Sequence, residues 1–253
     1  MRKLEGWNKS DMRHICETGG KPSVKLKFSG KTKDVYENPD GTYTLKLKDA
    51  ATGKDGVFDP GENTVGLSIE GLGRESMRLS VYFFELLKTH GIKTHYVSHN
   101  PEEVSMTVIA AEIIGKGIGM GKGIEFVCRF VADGSFVKRY GAYTSFGDKL
   151  DALVEVTLKD DAKNDPPITK NTLCQLGILT EKEYDEAEES TKKIARIIQE
   201  HLKSKGLVLH DIKFEFGKTK DGIILSDEIS AGCMRVYKDG KIVEPMALGG
   251  LVL

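Results

Sequence analysis

Between His210 and Ser230 the chain reads HDIKFEFGKTKDGIILSDEIS, and its charges follow a pattern. Asp211, Lys213 and Glu215 alternate with Ile212, Phe214 and Phe216, which predicts a strand over 207–216 with one charged and one apolar face. Lys-Asp-Gly at 220–222 signals a turn, and Ile223, Ile224 and Leu225 begin a returning strand that carries Asp227 and Glu228. Such a hairpin gathers the carboxylates of Asp211, Glu215 and Asp227 around a lysine. Carboxylates aimed at one place repel, so the arrangement needs a cation among them or protons on some. Lys213 supplies part of that charge. Mg²⁺ held by one or two carboxylates, with a nucleotide's phosphates completing its shell, would supply the rest. The alternative is a solvated sheet face with cross-strand ion pairs.

Three other segments carry chemistry of the same kind. FSGKTKDVYE sets Gly30 before Lys31 and Lys33, so backbone amides and lysine charge could meet phosphates there; a surface turn with solvated lysines is the alternative. CRFVADGSFVKRYG puts Arg129 in an apolar strand with Phe126, Val127, Cys128 and Phe130, followed by a Gly-Ser turn at 134–135. A buried guanidinium there must meet an anionic ligand or an internal carboxylate. VTLKDDAKNDPP bunches Asp160, Asp161 and Asp165 in what is, by itself, an ordinary acidic loop. GKGIGMGKG has glycines and lysines but no dinucleotide fingerprint, and predicts a flexible linker.

The elements that must position these residues are legible in outline. From Val24 the chain is strand-rich, with an Asn-Pro-Asp-Gly turn inside KDVYENPDGTYTLKLKDA. Residues 49–73, rich in Gly, Asp and Asn, predict a long functional or mobile loop. RESMRLSVYFFELLKTHG predicts a helix stopped by Gly91, and TEKEYDEAEESTKKIARIIQEHLKSKG one capped by Thr180 and ended by Gly206. KTHYVSH, VSMTVIAAEII and GIEFVCRF predict strands, while the closing EPMALGGLVL carries no pattern. Strands surround the helices without a regular βαβ repeat, which predicts an α+β architecture in two lobes.

Global properties bound the function. The 253 residues carry a formal net charge of −1, so no single-sign field points to nucleic acid; an anion site must be a local cluster. No run is long enough to span a bilayer, and the first twenty residues are polar, without the apolar core of a signal peptide. Cys16, Cys128, Cys174 and Cys233 are scattered, against a zinc site or a disulfide framework. A cytoplasmic protein without membrane or nucleic-acid partners is the expectation.

Taken in order, SGKTKDVYE, FFELLKTHGIKTHY, FVCRFVADGSFVKRYG, LKDDAKNDPPIT, LHDIKFEFGKTKDGIILSDEIS and MRVYKDG resemble the SAICAR synthetase (phosphoribosylaminoimidazole-succinocarboxamide synthase) family, from about Val24 to Tyr237. The resemblance implies a two-lobed α+β fold related to ATP-grasp enzymes and protein kinases, with antiparallel sheets, flanking helices and an ATP cleft. It implies an N-terminal lobe over 1–110 and a C-terminal lobe over 111–253. The family joins carboxyaminoimidazole ribonucleotide to L-aspartate in purine biosynthesis, cleaving ATP to ADP and phosphate. By this resemblance Gly30, Lys31 and Lys33 cover the ATP phosphates, and Lys159 contributes to the nucleotide site. Glu215 and Asp227 match the Mg²⁺ positions. Arg129, Ser135 and Arg235 match positions that hold the nucleotide substrate, with Asp161 and Asp165 beside them, and Asp211 and Lys213 face the reacting groups. Relatives form dimers or larger assemblies, which leaves a homo-oligomer open.

The chain departs from the family pattern in places. Ala110 stands two residues before Glu112 where the family has lysine, Phe130 replaces an asparagine after Arg129, and Ser230-Ala231-Gly232 replaces Ser-Pro-Asp. GKGIGMGKG is extra, and the chain ends at GGLVL where relatives continue through a further helix. A paralogous ATP-dependent ligase with another acid or amine, and a non-catalytic nucleotide-binding protein, are the alternatives these departures keep open.

Overall fold

The computed structural model describes residues 24–54, 56–61 and 65–253; the polar N-terminal stretch and Cys16 lie outside them. Alternating segments form β1 (Lys25–Ser29), β2 (Lys33–Glu37) and β3 (Tyr43–Leu47). The Asn-Pro-Asp-Gly turn forms as predicted, with Gly41 at φ 83° donating its N–H to the Asn38 carbonyl at 3.1 Å.

Residues 49–73 are not one loop. They contain β4 (Ala50–Lys54), β5 (Val57–Phe58) and β6 (Val65–Ser68), a small sheet ordered β5-β4-β6. Pairing there runs through the backbone of short strands, and β6 is largely exposed, so no hydrophobic alternation marks it in the sequence.

Helix α1 (Leu72–Thr89) buries Leu79, Phe83, Phe84 and Leu87 on one stripe. It ends at Gly91, φ 70°, where the amides of Gly91 and Ile92 bond back to Lys88 and Leu87. Strands β7 (Tyr96–Asn100) and β8 (Ser105–Val108) complete a sheet ordered β1-β2-β3-β8-β7. The segment VSMTVIAAEII is broken rather than continuous. After β8 the chain leaves the first sheet, and Glu112–Ile113 forms β9 in the second.

That second sheet contains β10 (Ile124–Val131), β11 (Lys149–Leu158), β12 (Val208–Thr219), β13 (Gly222–Ser226), β14 (Met234–Lys238) and β15 (Lys241–Ile242) besides β9. Its order is β11-β10-β12-β14-β15, with β9 and β13 paired to the far half of β12. Strand β12 is therefore the hub, meeting β14 near Asp211 and β13 from Glu215 onward. Phe214 and Phe216 point into the core with Phe126, each fully burying a side chain worth roughly 1.5–3 kcal/mol.

Residues 134–135 are not a turn. They start helix α2 (Gly134–Tyr140), whose first amide is held by the Asp133 side chain at 2.6 Å. Helix α3 (Lys170–Gln175) leads to α4 (Glu181–Ser204), where Thr180 and Glu183 form a reciprocal capping box and Gly206 follows the last turn at φ 73°. Helix α4 packs on the apolar face of β10, β11 and β12 through Ile194 and Ile198. The closing segment forms α5 (Pro245–Val252) against α1, with proline in its first turn. Among the described residues, no helix is long and apolar enough to cross a membrane.

Candidate active site

The charged face of β12 carries three side chains in a row, and each meets a different group. Glu215 lies opposite Ser226 in the β12–β13 ladder, and Asp227 follows directly at φ 68°. A non-glycine residue in this left-handed conformation is uncommon and marks a site where the surroundings over-determine the backbone. Part of the hold is visible: buried His95 donates from Nε2 to the Asp227 carbonyl at 2.8 Å. Burial lowers the His95 pKa to about 4, so the ring is neutral at pH 7 and must carry its proton on Nε2 to donate.

Lysines from β2, from β12 and from just past the end of β11 surround these acids. Lys33 of β2 bridges Asp227 Oδ1 at 2.5 Å and Glu228 Oε2 at 2.8 Å, an ion pair between the two main sheets. Lys159 pairs with Glu215 and lies 3.7 Å from Glu125. Lys213 lies 3.2 Å from Glu125 Oε1. Burial pushes the Glu215 carboxyl up against the pull of Lys159, with Asp227 and Glu125 adding repulsion. Burial alone would raise Asp227 too, but Lys33 and Lys159 outweigh it and hold that carboxyl far below the usual range. Glu125, only 5% exposed, is likewise held down by Lys213 and Lys159 despite its burial.

The donor set at Glu215 and Asp227 suits a hard divalent cation. Both are oxygen donors, and burial together with the neighbouring Asp227 charge makes Glu215 resist ionisation. Among the described residues no group of three or more His, Cys, Asp and Glu side chains forms a cage. Two carboxylates with the remaining positions left to phosphate and water is the Mg²⁺ pattern rather than the Ca²⁺ or Zn²⁺ pattern.

The other end of β12 belongs to arginines. Asp211, 4% exposed, accepts from Arg129 Nη1 at 2.8 Å and from Arg235 Nη1 at 3.0 Å. Arg129 also donates from Nε to Glu155 at 2.7 Å and from Nη2 to Ser135 Oγ at 3.2 Å. Arg139 donates to the same Glu155 oxygen at 2.7 Å, and Arg235 Nη2 to Asp59 at 2.8 Å. Gly134, φ 51°, packs so closely on Arg235 that a Cβ would lie 2.6 Å from its guanidinium carbon. Asp133 secures that turn, its second oxygen accepting from His210 Nδ1 at 2.9 Å and Tyr237 Oη at 3.0 Å. The His210 and Tyr237 rings stack behind it, 3.8 Å between centroids.

A cavity of about 80 Å³ lies along this end, lined by Arg129, Ser135, Asp165, Asp211, Lys213 and Arg235 among others. Asp165 accepts the Asp160 amide at 2.7 Å. Its carboxyl is pushed up by burial and by nearby Glu125. At the rim Lys31 pairs with Asp161 at 2.7 Å, and Lys122 of GKGIGMGKG lies 3.7 Å from the same carboxylate. The glycine turn is tight: Gly30 donates to the Lys33 carbonyl at 2.8 Å, and a Cβ there would sit 3.0 Å from that oxygen. The GKGIGMGKG segment is a closed loop bridged between Lys116 and Lys122, with Lys116 4.5 Å over the Phe28 ring.

The structure thus brings together Lys33, Lys159, Glu215 and Asp227 at one end, and Arg129, Ser135, Asp211 and Arg235 at the other. Lys213 and Asp165 line the cavity, while Lys31 and Asp161 meet at the rim with Gly30 in the turn beside them. Sequence reasoning missed Glu125, Glu155, Glu228, Asp133 and Asp59. Glu125 was findable, being a lone acid in the same apolar strand that singled out Arg129. Of the departures, Phe130 faces the hydrophobic core, Ala110 is exposed in the link between β8 and β9, and Gly232 sits in a single helical turn capped by Ser230.

Comparison with known proteins identifies the family. The family model described as SAICAR synthetase matches residues 26–246. A phosphoribosylaminoimidazole-succinocarboxamide synthase of Clostridium tetani is 52% identical over 232 residues, covering 91% of this chain and 100% of that protein. One of the same name from Sulfolobus acidocaldarius is 37% identical, covering 85% and 86% of the two chains. Among solved structures, a type-2 SAICAR synthetase in complex with ADP superposes with a TM-score of 0.74 at 31% identity, covering 89% of each chain. The chain belongs to the SAICAR synthetase family.

Proposed function

We propose that this chain is an ATP-dependent ligase that forms an amide between carboxyaminoimidazole ribonucleotide and L-aspartate, releasing ADP and phosphate. The observation that carries the proposal is one strand with a lysine–carboxylate cluster at one end and an arginine cluster at the other, joined through Lys213. ATP belongs at the first end. Gly30, whose amide closes the turn onto the Lys33 carbonyl, carries Lys31 and its charge over the phosphates, and Lys33 and Lys159 neutralise them from the sides. Glu215 and Asp227 would hold Mg²⁺, which when bound offsets phosphate charge. The nucleotide substrate belongs at the second end. Arg129, Ser135 and Arg235 face its anionic group, with Asp211 fixing both guanidiniums, and Asp161 and Asp165 flank it.

A carboxylate is a poor electrophile. Its oxygen attacks the γ-phosphorus of ATP, ADP leaves, and an acyl phosphate forms; the aspartate amine then attacks the acyl carbon, expelling phosphate and losing a proton. Lys213, paired with buried Glu125 between the two ends, is placed to steady charge on the reacting carboxylate. The division of labour suggests lobes over 1–110 and 111–253, joined at the exposed link around Ala110. All partners so implied are small molecules of the cytoplasm.

The test is ADP release with Mg-ATP, the ribonucleotide and L-aspartate, omitting each in turn. Turnover requiring all three supports the proposal; ATP cleavage indifferent to aspartate refutes it in favour of a ligase with another amine. The core position of Phe130 favours the first outcome, since that departure does not line the cavity.

A further inference from the structure

The arginine end of the cleft has no spare positive charge. Its three guanidiniums, Arg129, Arg139 and Arg235, are matched by three carboxylates, Glu155, Asp211 and Asp59. A further acid, Asp133, stands behind Gly134. A phosphate arriving here meets a neutral or negative cluster, and like charges at contact distance in a partly buried cleft repel one another strongly. Tight binding of a dianion therefore requires one carboxylate to leave.

Only one is built to do so. Asp211 lies in the central strand, 4% exposed, between two arginines, and the Glu155 side chain is 11% exposed in β11 between Arg129 and Arg139. The Asp59 side chain is 34% exposed and follows the two-residue strand β5 at the edge of the small sheet. Among the described residues its backbone is tied to Thr52 alone, through the amide at 3.2 Å and the carbonyl at 3.1 Å. Its Oδ1 takes both the Arg235 Nη2 proton and the Gly61 amide. Gly61 presses on the guanidinium so closely that a Cβ would lie 2.1 Å from Nη2.

We infer that Asp59 is a counter-ion that the substrate's phosphate must displace from Arg235, and so a residue that sets how tightly this site holds that phosphate. A phosphate dianion out-competes a single carboxylate for a guanidinium, but displacing Asp59 subtracts from its affinity, whereas a ligand without phosphate leaves the Asp59–Arg235 pair in place. The inference rests on the assignment of Arg235 to the nucleotide substrate.

The experiment is calorimetric binding of ribose 5-phosphate and of ribose to the wild type, Asp59→Asn, Asp59→Glu and Arg235→Ala, with melting temperatures as a check on folding. Asp59→Asn should bind ribose 5-phosphate about three- to tenfold more tightly, the range for a partly exposed ion pair. Ribose binding should not change, and Asp59→Glu, which keeps the charge, should show no gain. In turnover, KM for the ribonucleotide should fall by the same factor while KM for ATP stays put. Equal or weaker binding by Asp59→Asn, with Arg235→Ala defective, overturns the inference alone. Undiminished binding by Arg235→Ala overturns the substrate assignment and the inference with it.

Discussion

Replacing Asp211 by asparagine tests how the arginine end is held together. The substitution keeps shape and one acceptor oxygen but removes the charge shared by two buried guanidiniums, whose residues are 2% and 8% exposed. At an effective dielectric near 20, the contacts of 2.8 Å to Arg129 and 3.0 Å to Arg235 correspond to about 6 and about 5.5 kcal/mol of gross attraction. Desolvation of the carboxylate offsets much of this, at several kcal/mol per buried ion. What remains is the cost of leaving two like charges together without a partner, and breaking buried pairs costs about 3–5 kcal/mol. Glu155 and Asp59 still face the arginines, and the amide oxygen still accepts one proton, which places the loss near the lower end, about 3 kcal/mol. For a chain of this size that is a fall of roughly 6–12 °C in Tm. Thermal and urea unfolding of both proteins measure it directly. Ribose 5-phosphate should narrow the gap, because its phosphate restores negative charge between the guanidiniums. A variant within about 0.5 kcal/mol of wild type, the range of an unremarkable surface change, would refute the reasoning.

Glu215→Gln and Asp227→Asn should each lower Mg-dependent turnover by at least about a hundredfold while the fold persists by circular dichroism; near-normal rates in both sink the metal assignment. Gly134→Ala forces a side chain into φ 51° and against the Arg235 guanidinium, so KM for the ribonucleotide should rise about tenfold or more with KM for ATP little changed, and equal shifts in both would contradict the placement. Asp133 bears on pH. Burial alone would raise its carboxyl, but the His210 and Tyr237 bonds, the Gly134 amide and the Arg235 charge bring it below the ordinary value. Its stabilisation is therefore full above the unfolded carboxyl's pKa of about 3.9 and is lost as pH falls through the lower folded value. The Tm deficit of Asp133→Asn should be large at pH 7 and close below pH 4; a deficit constant down to pH 3 counts against it.

The parts of this molecule visible in its sequence are those where one periodicity dominates. The alternation from Asp211 to Phe216 gave strand, face and hairpin together, because one side of β12 is apolar core and the other is cleft. Thr180, Gly91 and Gly206 marked helix ends because capping chemistry is local. The small sheet between residues 50 and 68 was hidden, since short strands with exposed faces satisfy their backbones without a hydrophobic signature. Helix α2 was hidden for a different reason. Gly134 at positive φ looks like a turn, and Asp133 becomes a cap only when His210 and Tyr237, far along the chain, hold it in place. In the site, residue types were legible and pairings were not. Lys213 looked like the counter-charge for Glu215 and Asp227, yet Lys159 pairs with the first and Lys33 with the second, and Lys213 turns to Glu125.

Strand β12 also acts as a measuring rod. Asp211, Lys213 and Glu215 stand at successive same-face positions, about 6.6 Å apart at the usual strand rise, so the arginine cluster and the lysine–carboxylate cluster are separated by about 13 Å of covalent backbone. Nothing in a loop sets that distance, and no side-chain substitution alters it. A single residue inserted or deleted between Asp211 and Glu215 would, because every side chain beyond that point swaps faces, turning charge into the core and apolar side chains out toward the cleft. The chemistry can thus tolerate drift in composition on either flank of this strand, but not in the count of residues between Asp211 and Glu215. Length, more than identity, is what selection on amide formation has to guard here.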